Sequence, residues 1–223
     1  MASRRSAQAR PPLSRERVLR AAMLLADREG VEALTMRKLA RELGVEAMTL
    51  YYYVEKKGDI LDGIGDLVAS EIELPSGEVD WKAAVRQRAI SAHEVLLRHP
   101  WASMLWVSSM TIGPGRLRYM DAGLRAYREA GFSPALTEQA FHAVENHIVG
   151  FTLQEIDFPV AREQVVEAGA SFLEKLPAEA YPYLAEHVQQ HLEGPGHVNE
   201  GDFEFALDLI LDGIERLRLT AGQ

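Results

Sequence analysis

The chain is 223 residues long, contains no cysteine and carries a net charge of −9. The missing thiols exclude a disulfide framework, thiol catalysis and cysteine-ligated zinc, and no apolar run reaches the length of about 18 residues that a membrane span needs. A hydrophobic content of 47% against 26% charged residues is that of a soluble globular protein with enough apolar material for a real core, in one large or two small domains.

Residues 1–13 are polar and basic without an apolar centre, so they read as a disordered arm and not as a secretory signal. Arg4, Arg5 and Arg10 suit phosphates or a minor groove, or simply solvent. Ser14 caps a predicted helix over 15–29, with Val18, Leu19, Ala22, Leu25 and Ala26 as its buried stripe and Gly30 as its stop. Thr35 caps the next helix, where Met36, Leu39, Ala40 and Leu43 recur at i, i+3, i+4 and i+7. Gly44 ends that helix and Val45 plugs the turn. Leu50 and Val54 then give a short third helix its own buried stripe. Two short helices joined by a glycine-containing turn read either as a helix-turn-helix unit, whose second helix enters the major groove, or as a plain αα-hairpin with aromatic packing. Ala47, Met48, Thr49, Tyr51 and Tyr53 lie off the Leu50/Val54 stripe. Tyrosine hydroxyls suit phosphates, threonine suits phosphate or base, and small apolar groups suit a thymine methyl. Lys56 and Lys57 follow at the start of a helix over 58–72, which Gly63 and Gly65 weaken and make a candidate lever.

Leu74-Pro75-Ser76-Gly77 marks the domain boundary. Beyond it, Asp80 caps a helix over 81–98, His99-Pro100 is a break, 101–110 is strongly apolar, and Gly113-Pro114-Gly115 is a turn. Helices follow over 116–130 and 134–157, a shorter one lies within 158–178, and Pro177 and Pro182 break the chain around it. The last helix covers 201–219. Phe141, Val144, Ile148 and Phe151 form one seam, and Phe203, Leu207, Ile210, Ile214 and Leu217 another, in a heptad-like rhythm suited to helix–helix packing. Ala206 and Leu211 widen the second seam toward the subunit's own core. No strand pattern persists, so the fold class is all-α.

Charge is polarised. Through Lys57 there are 12 basic against 7 acidic residues, and in the remainder 12 against 26; a basic module on an acidic body is what DNA binding asks of the module alone. Catalytic signatures are missing: there is no G-x-S-x-G, H-E-x-x-H, phosphate loop or dinucleotide fingerprint. No Glu-x-x-His pair is present either, so neither an enzyme nor a metal or cofactor site is expected. Trp101, Met104, Trp106, Met110 and Met120 concentrate adaptable apolar groups. With His93, Asn146, His147 and Glu155 on neighbouring helices they make a candidate small-molecule pocket; for any one of them, plain core packing is the alternative.

The stretch TMRKLARELGVEAMTLYYYVEKK, Thr35 to Lys57, resembles the DNA-binding motif of the tetracycline-repressor (TetR) family of bacterial transcriptional regulators, through TMRKLA, LGV, TLYYYV and the trailing lysine. The close resemblance covers the first quarter of the chain, and a looser one reaches FEFALDLILDGIERL, which is similar to the last helix of the tetracycline-responsive branch. The resemblance implies a helix-turn-helix DNA-binding domain with linking helix over 14–74 and a helical-bundle effector-binding and dimerisation domain over 75–223. It implies a cytoplasmic homodimeric regulator, a repressor released from a palindromic operator by a small molecule. Alternatives are an activator of the same architecture, or a helical ligand-binding protein that does not touch DNA.

By resemblance, Arg37, Ala47, Met48, Thr49, Tyr51, Tyr53 and Lys57 occupy DNA-contacting positions, and the two seams pack against their symmetry mates. Of the family's tetracycline–magnesium residues only Glu155 is matched. The His, Asn and Phe positions fall on Glu73, Arg88 and Ala92, which points to a different, apolar or aromatic effector.

Overall fold

The computed structural model describes residues 12–75, 80–108, 111–157, 162–193 and 200–221. Among the described residues the regular structure is helical throughout: α1 (Arg15–Glu29), α2 (Met36–Leu43), α3 (Ala47–Leu50), α4 (Lys57–Glu71), α5 (Trp81–Arg98), α6 (Pro100–Ser108), α7 (Pro114–Glu129), α8 (Pro134–Asp157), α9 (Arg162–Lys175), α10 (Pro182–Glu193) and α11 (Glu200–Ala221), with a 3-10 turn at Val31–Ala33. Pro100, Pro114, Pro134 and Pro182 each open a helix, where the missing N–H costs nothing and the fixed φ is already helical. This corrects two expectations. Pro182 starts a helix where the sequence suggests only a break, and Pro114 begins α7 instead of sitting in a turn.

Two compact units form, and they do not follow chain order. The first holds the residues up to Glu73 together with Arg98–Ala122; the second holds Leu74–Leu97 and the residues from Gly123 onward. The segment 98–122, which a linear division gives to the C-terminal domain, therefore packs with the N-terminal helices.

In the first unit, Ser14 accepts a hydrogen bond from the Arg17 amide and Thr35 one from the Lys38 amide, each at 3.2 Å. Gly44 takes the left-handed conformation (φ 69°, ψ 39°) that ends α2, and the Val45 amide returns to the Ala40 carbonyl at 3.0 Å, so the turn satisfies the last carbonyls. Leu25, Leu39, Leu50 and Ile64 are fully buried, each contributing about 1.5–3 kcal/mol by transfer from water. α1 packs on α2, α4 and α6. At Gly63 a Cβ would lie 2.6 Å from the Leu19 side chain, whereas at Gly65 nothing lies within 4 Å; only Gly63 serves close packing.

α4 is also held to the start of α7. The Asp66 carboxylate accepts the Arg116 amide at 2.9 Å, and Arg118 donates to the Ser70 carbonyl at 3.0 Å. A Cβ on Gly115 would sit 2.5 Å from the Asp66 backbone oxygen.

In the second unit α8 packs on α11 and α9 on α10. Phe141, Val144, Ile148, Phe203, Leu207 and Ile214 are all buried within the single chain. The seams expected to meet a symmetry mate therefore meet each other, with Phe151 and Ile210 half-buried beside them and Leu217 exposed. The acids along α11 fix this rotation. Lys82 pairs with Asp212, and Arg86 with Glu204 and Asp208, so the acidic row lies along α5 and the neighbouring apolar row turns inward. Each such partly exposed pair contributes at most about 1 kcal/mol; burial of the seam supplies the stability and the charges choose its facing.

Trp81, Tyr127 and Phe132 form an aromatic cluster with ring centroids 4.9–5.7 Å apart. Beside it Arg88, 1% exposed, donates to Glu145 at 2.8 Å.

Candidate nucleic-acid interface

α3 is a single α-helical turn, prolonged by i→i+3 bonds: the Tyr51, Tyr52 and Tyr53 amides donate to the Met48, Thr49 and Leu50 carbonyls. Leu50 (0% exposed) and Val54 (4%) anchor it. The alternation this imposes exposes Met48 and Tyr51 and leaves Ala47, Thr49 and Tyr53 half-buried at the rim. Arg37 is exposed on α2 and Lys57 is half-buried as the first residue of α4. All seven expected contact residues thus belong to the first unit, and each keeps some solvent-accessible surface. Tyr52, outside that set, is 87% exposed; its signal in the sequence is its place three residues after Thr49, on the side away from Leu50.

Two sets of cations in the helix-turn-helix differ in their pairing. Lys38 pairs with Glu29, and Arg28 with Glu42, tying α1 to α2. The Lys38 contact holds the Glu29 carboxyl below its ordinary pKa. Arg37, Lys56 and Lys57 make no ion pair with another described residue, which leaves them for phosphates. Lys56, at the N-cap of α4, has no acceptor to offer, and the cap comes from the other half of a capping box: the Asp59 carboxylate accepts the Glu55 and Lys56 amides at 2.9 and 3.1 Å. The recognition turn is thereby pinned to α4, and Lys57 is presented at a fixed place.

The expected effector residues separate. Trp101, Met104, Trp106 and Met120 lie in the first unit; His93, Asn146, His147 and Glu155 lie in the second. Met110 lies outside the described residues. Met104 is 63% exposed and Asn146 is at the surface, so neither lines an enclosed site within its own unit: α6 turns Met104 outward while Ala102 and Ser103 face inward. The Trp101 indole N–H donates to Asp27 at 2.7 Å. Trp106 stands against Tyr119 and Arg116, beside a small cleft that Leu61, Gly65, Ala102 and Thr111 also line.

His93, His147 and Glu155 do come together. Phe203 is sandwiched between the imidazoles, 4.1 Å from His93 and 4.7 Å from His147. The Thr152 hydroxyl donates to the Ile148 carbonyl at 2.6 Å, so His93 Nδ1, 2.8 Å from Thr152 Oγ1, is the donor there; Nε2 then faces Glu155 Oε2 at 3.3 Å. Burial lowers the His93 pKa to about 4, with His147 adding to the effect, and burial lowers His147 as well. Both rings are neutral near pH 7. Among the described residues no group of three or more His, Asp or Glu could hold a metal ion.

An all-α chain with a capped helix-turn-helix, a solvent-facing aromatic recognition turn and unpaired cations at its rim is a DNA-binding transcriptional regulator. Residues 18–64 match the family model "Bacterial regulatory proteins, tetR family", and residues 74–218 match "Tetracyclin repressor-like, C-terminal domain". The HTH-type transcriptional repressor DrrR1 of Streptomyces coeruleorubidus is 33% identical over 218 residues, 93% of this chain and 79% of that one. The class C tetracycline repressor of Escherichia coli is 29% identical over 94% of each chain. Among solved structures, ActR of Streptomyces coelicolor in complex with actinorhodin superposes with a TM-score of 0.78 at 25% identity, over 92% of this chain and 98% of that one. The chain belongs to the TetR family of bacterial transcriptional regulators.

Proposed function

We propose that the protein is a homodimeric repressor that binds a palindromic operator and is released from it by a small-molecule effector. The observation that carries this is the recognition surface: Arg37, Ala47, Met48, Thr49, Tyr51, Tyr53 and Lys57 retain accessible surface on the unit that the buried Leu50 and Val54 hold together. A single recognition turn reads only a short half-site, and two related by a twofold axis read a palindrome. With the α8 and α11 seams buried inside the protomer, the dimer contact draws on the exposed Phe205 and Leu209 of α11. The functional division is a DNA-binding domain over 14–74 and an effector-binding and dimerisation domain over 75–223. Relatives named as repressors, and a neighbour solved in complex with actinorhodin, support repression and a small-molecule effector. The protein works in the cytoplasm and is not an enzyme; no helix among the described residues is long and apolar enough to cross a membrane. The effector acts by linkage, releasing DNA only to the extent that it prefers the DNA-incompetent state.

The test is selection from a random duplex pool with the purified full chain beside a Tyr51→Ala/Lys57→Ala control. An enriched palindrome that the control loses is the expected result. Lys57→Ala alone weakens binding to all sequences and lowers the salt slope by about one; an unchanged slope removes Lys57 from the interface.

A further inference from the structure

The first unit contains one histidine, His99, and it is 7% exposed. Its Nδ1 lies 2.7 Å from Asp27 Oδ1 on α1, and its Nε2 lies 3.2 Å from Glu71 Oε2 at the end of α4. Two further donors converge on the same oxygens. The Trp101 indole N–H reaches Asp27 Oδ1 at 2.7 Å, and Arg98 reaches Glu71 Oε2 at 3.2 Å. The ring thus stands between two carboxylates, one at each nitrogen, and so bridges α1 and α4.

We infer that His99 is a positioning residue for operator binding: its ring, set between Asp27 and Glu71, clips helix α1 of the reading head to the end of linking helix α4 and to the segment 98–122, so that these parts move as one. The inference rests on the DNA-binding function and goes beyond it by making operator affinity depend on a side chain held away from the DNA-contacting residues. Trp101 of α6 joins the clip at Asp27, Arg98 joins it at Glu71, and Arg118 of α7 reaches the end of α4 through the Ser70 carbonyl. Removing the ring opens the clip between α1 and α4, so affinity falls.

The full-length protein is titrated with its selected duplex in one buffer for the wild type, His99→Gln, Asp27→Asn and the double variant, with a thermal melt of each. His99→Gln is expected to lose about tenfold in affinity while still melting cooperatively. The double variant is expected to be no worse than the poorer single one, because both changes open the same clip. Asp27→Asn, isosteric and still an acceptor, keeps the test decisive if His99→Gln does not fold. Wild-type affinity in the folded variants, or strictly additive losses, overturns the inference. Failure of the wild type to select any duplex would instead strike at the operator reading, and hydrogen exchange then decides the clip alone: faster exchange in the last turns of α1 and α4 in Asp27→Asn supports it, and unchanged exchange refutes it.

Discussion

Replacing Gly115 by alanine tests how firmly α4 is seated on α7. The added Cβ would lie 2.2 Å from Ser70 Oγ and 2.5 Å from the Asp66 backbone oxygen. The serine can rotate, but the carbonyl belongs to the helix. Ordinary contact begins at 3.4 Å, so the helices must part by about 1 Å. That movement stretches the 2.9 Å bond from the Arg116 amide to Asp66 and the 3.0 Å bond from Arg118 to Ser70. Overpacking costs about 1–3 kcal/mol, and weakening a charge-assisted bond costs about 1 kcal/mol more. The sum, about 2–4 kcal/mol, corresponds to a fall of roughly 5–15 °C in melting temperature for a chain of this size. Thermal melts followed by circular dichroism, with tryptophan fluorescence as a second probe of Trp106 in the cleft beside Arg116, would measure it. A variant melting with the wild type would show that the glycine is not a contact point and that α4 is free of α7 there.

Gly65→Ala, with nothing within 4 Å of the new methyl, should stabilise α4 by up to about 1 kcal/mol in urea unfolding; a loss of stability would mean that the cleft beside it is filled in the working protein. His93 supplies a pH dependence. The unfolded ring protonates near 6.5 and the buried ring at about 4, so the unfolded chain takes up the proton first. Stability is whole above about 6.5 and falls as the pH drops toward 4, by up to about 3 kcal/mol, less whatever Glu155 returns. Urea midpoints measured across that range should slope in the wild type and flatten in His93→Gln. Arg88→Met should cost about 3 kcal/mol by stranding Glu145, whereas Arg88→Met/Glu145→Leu should recover most of it; a double variant as poor as the single would show that the pair itself supports the core.

What the sequence made legible is local. Ser14, Thr35 and Gly44 act within three or four residues of themselves, so their caps and turn are written in the residues beside them. The recognition surface follows from the two anchors Leu50 and Val54. The seams were legible as seams but not as to partner, because an apolar row on α11 has the same spacing whether it meets α8 of its own chain or of a second copy. The deciding information lies in Lys82 and Arg86, more than a hundred residues away from the acids they hold. A shorter but still long separation hides the burial of Arg88 and His93, whose partners Glu145 and Thr152 are 57 and 59 residues on. The α4 cap was half visible, since an acid three residues after Lys56 is the reciprocal arm of a capping box even when the first residue cannot accept. The outward facing of Met104 was not legible, because an apolar run carries no mark of which side faces water.

The first compact unit is assembled from two stretches of chain, ending at Glu73 and resuming at Arg98. Exchange of reading heads between relatives is naturally imagined as a cut near residue 74, between the two family matches. Such a cut would leave behind His99, Trp101 and Arg116, and the transplanted α1 and α4 would meet foreign side chains where Asp27, Asp66 and Glu71 now find their partners. A working chimera needs the segment 98–122 to travel with the head, or the recipient to carry matching groups there. Operator preference can therefore be exchanged only along with the α6–α7 corner, although the two are separate stretches of the chain.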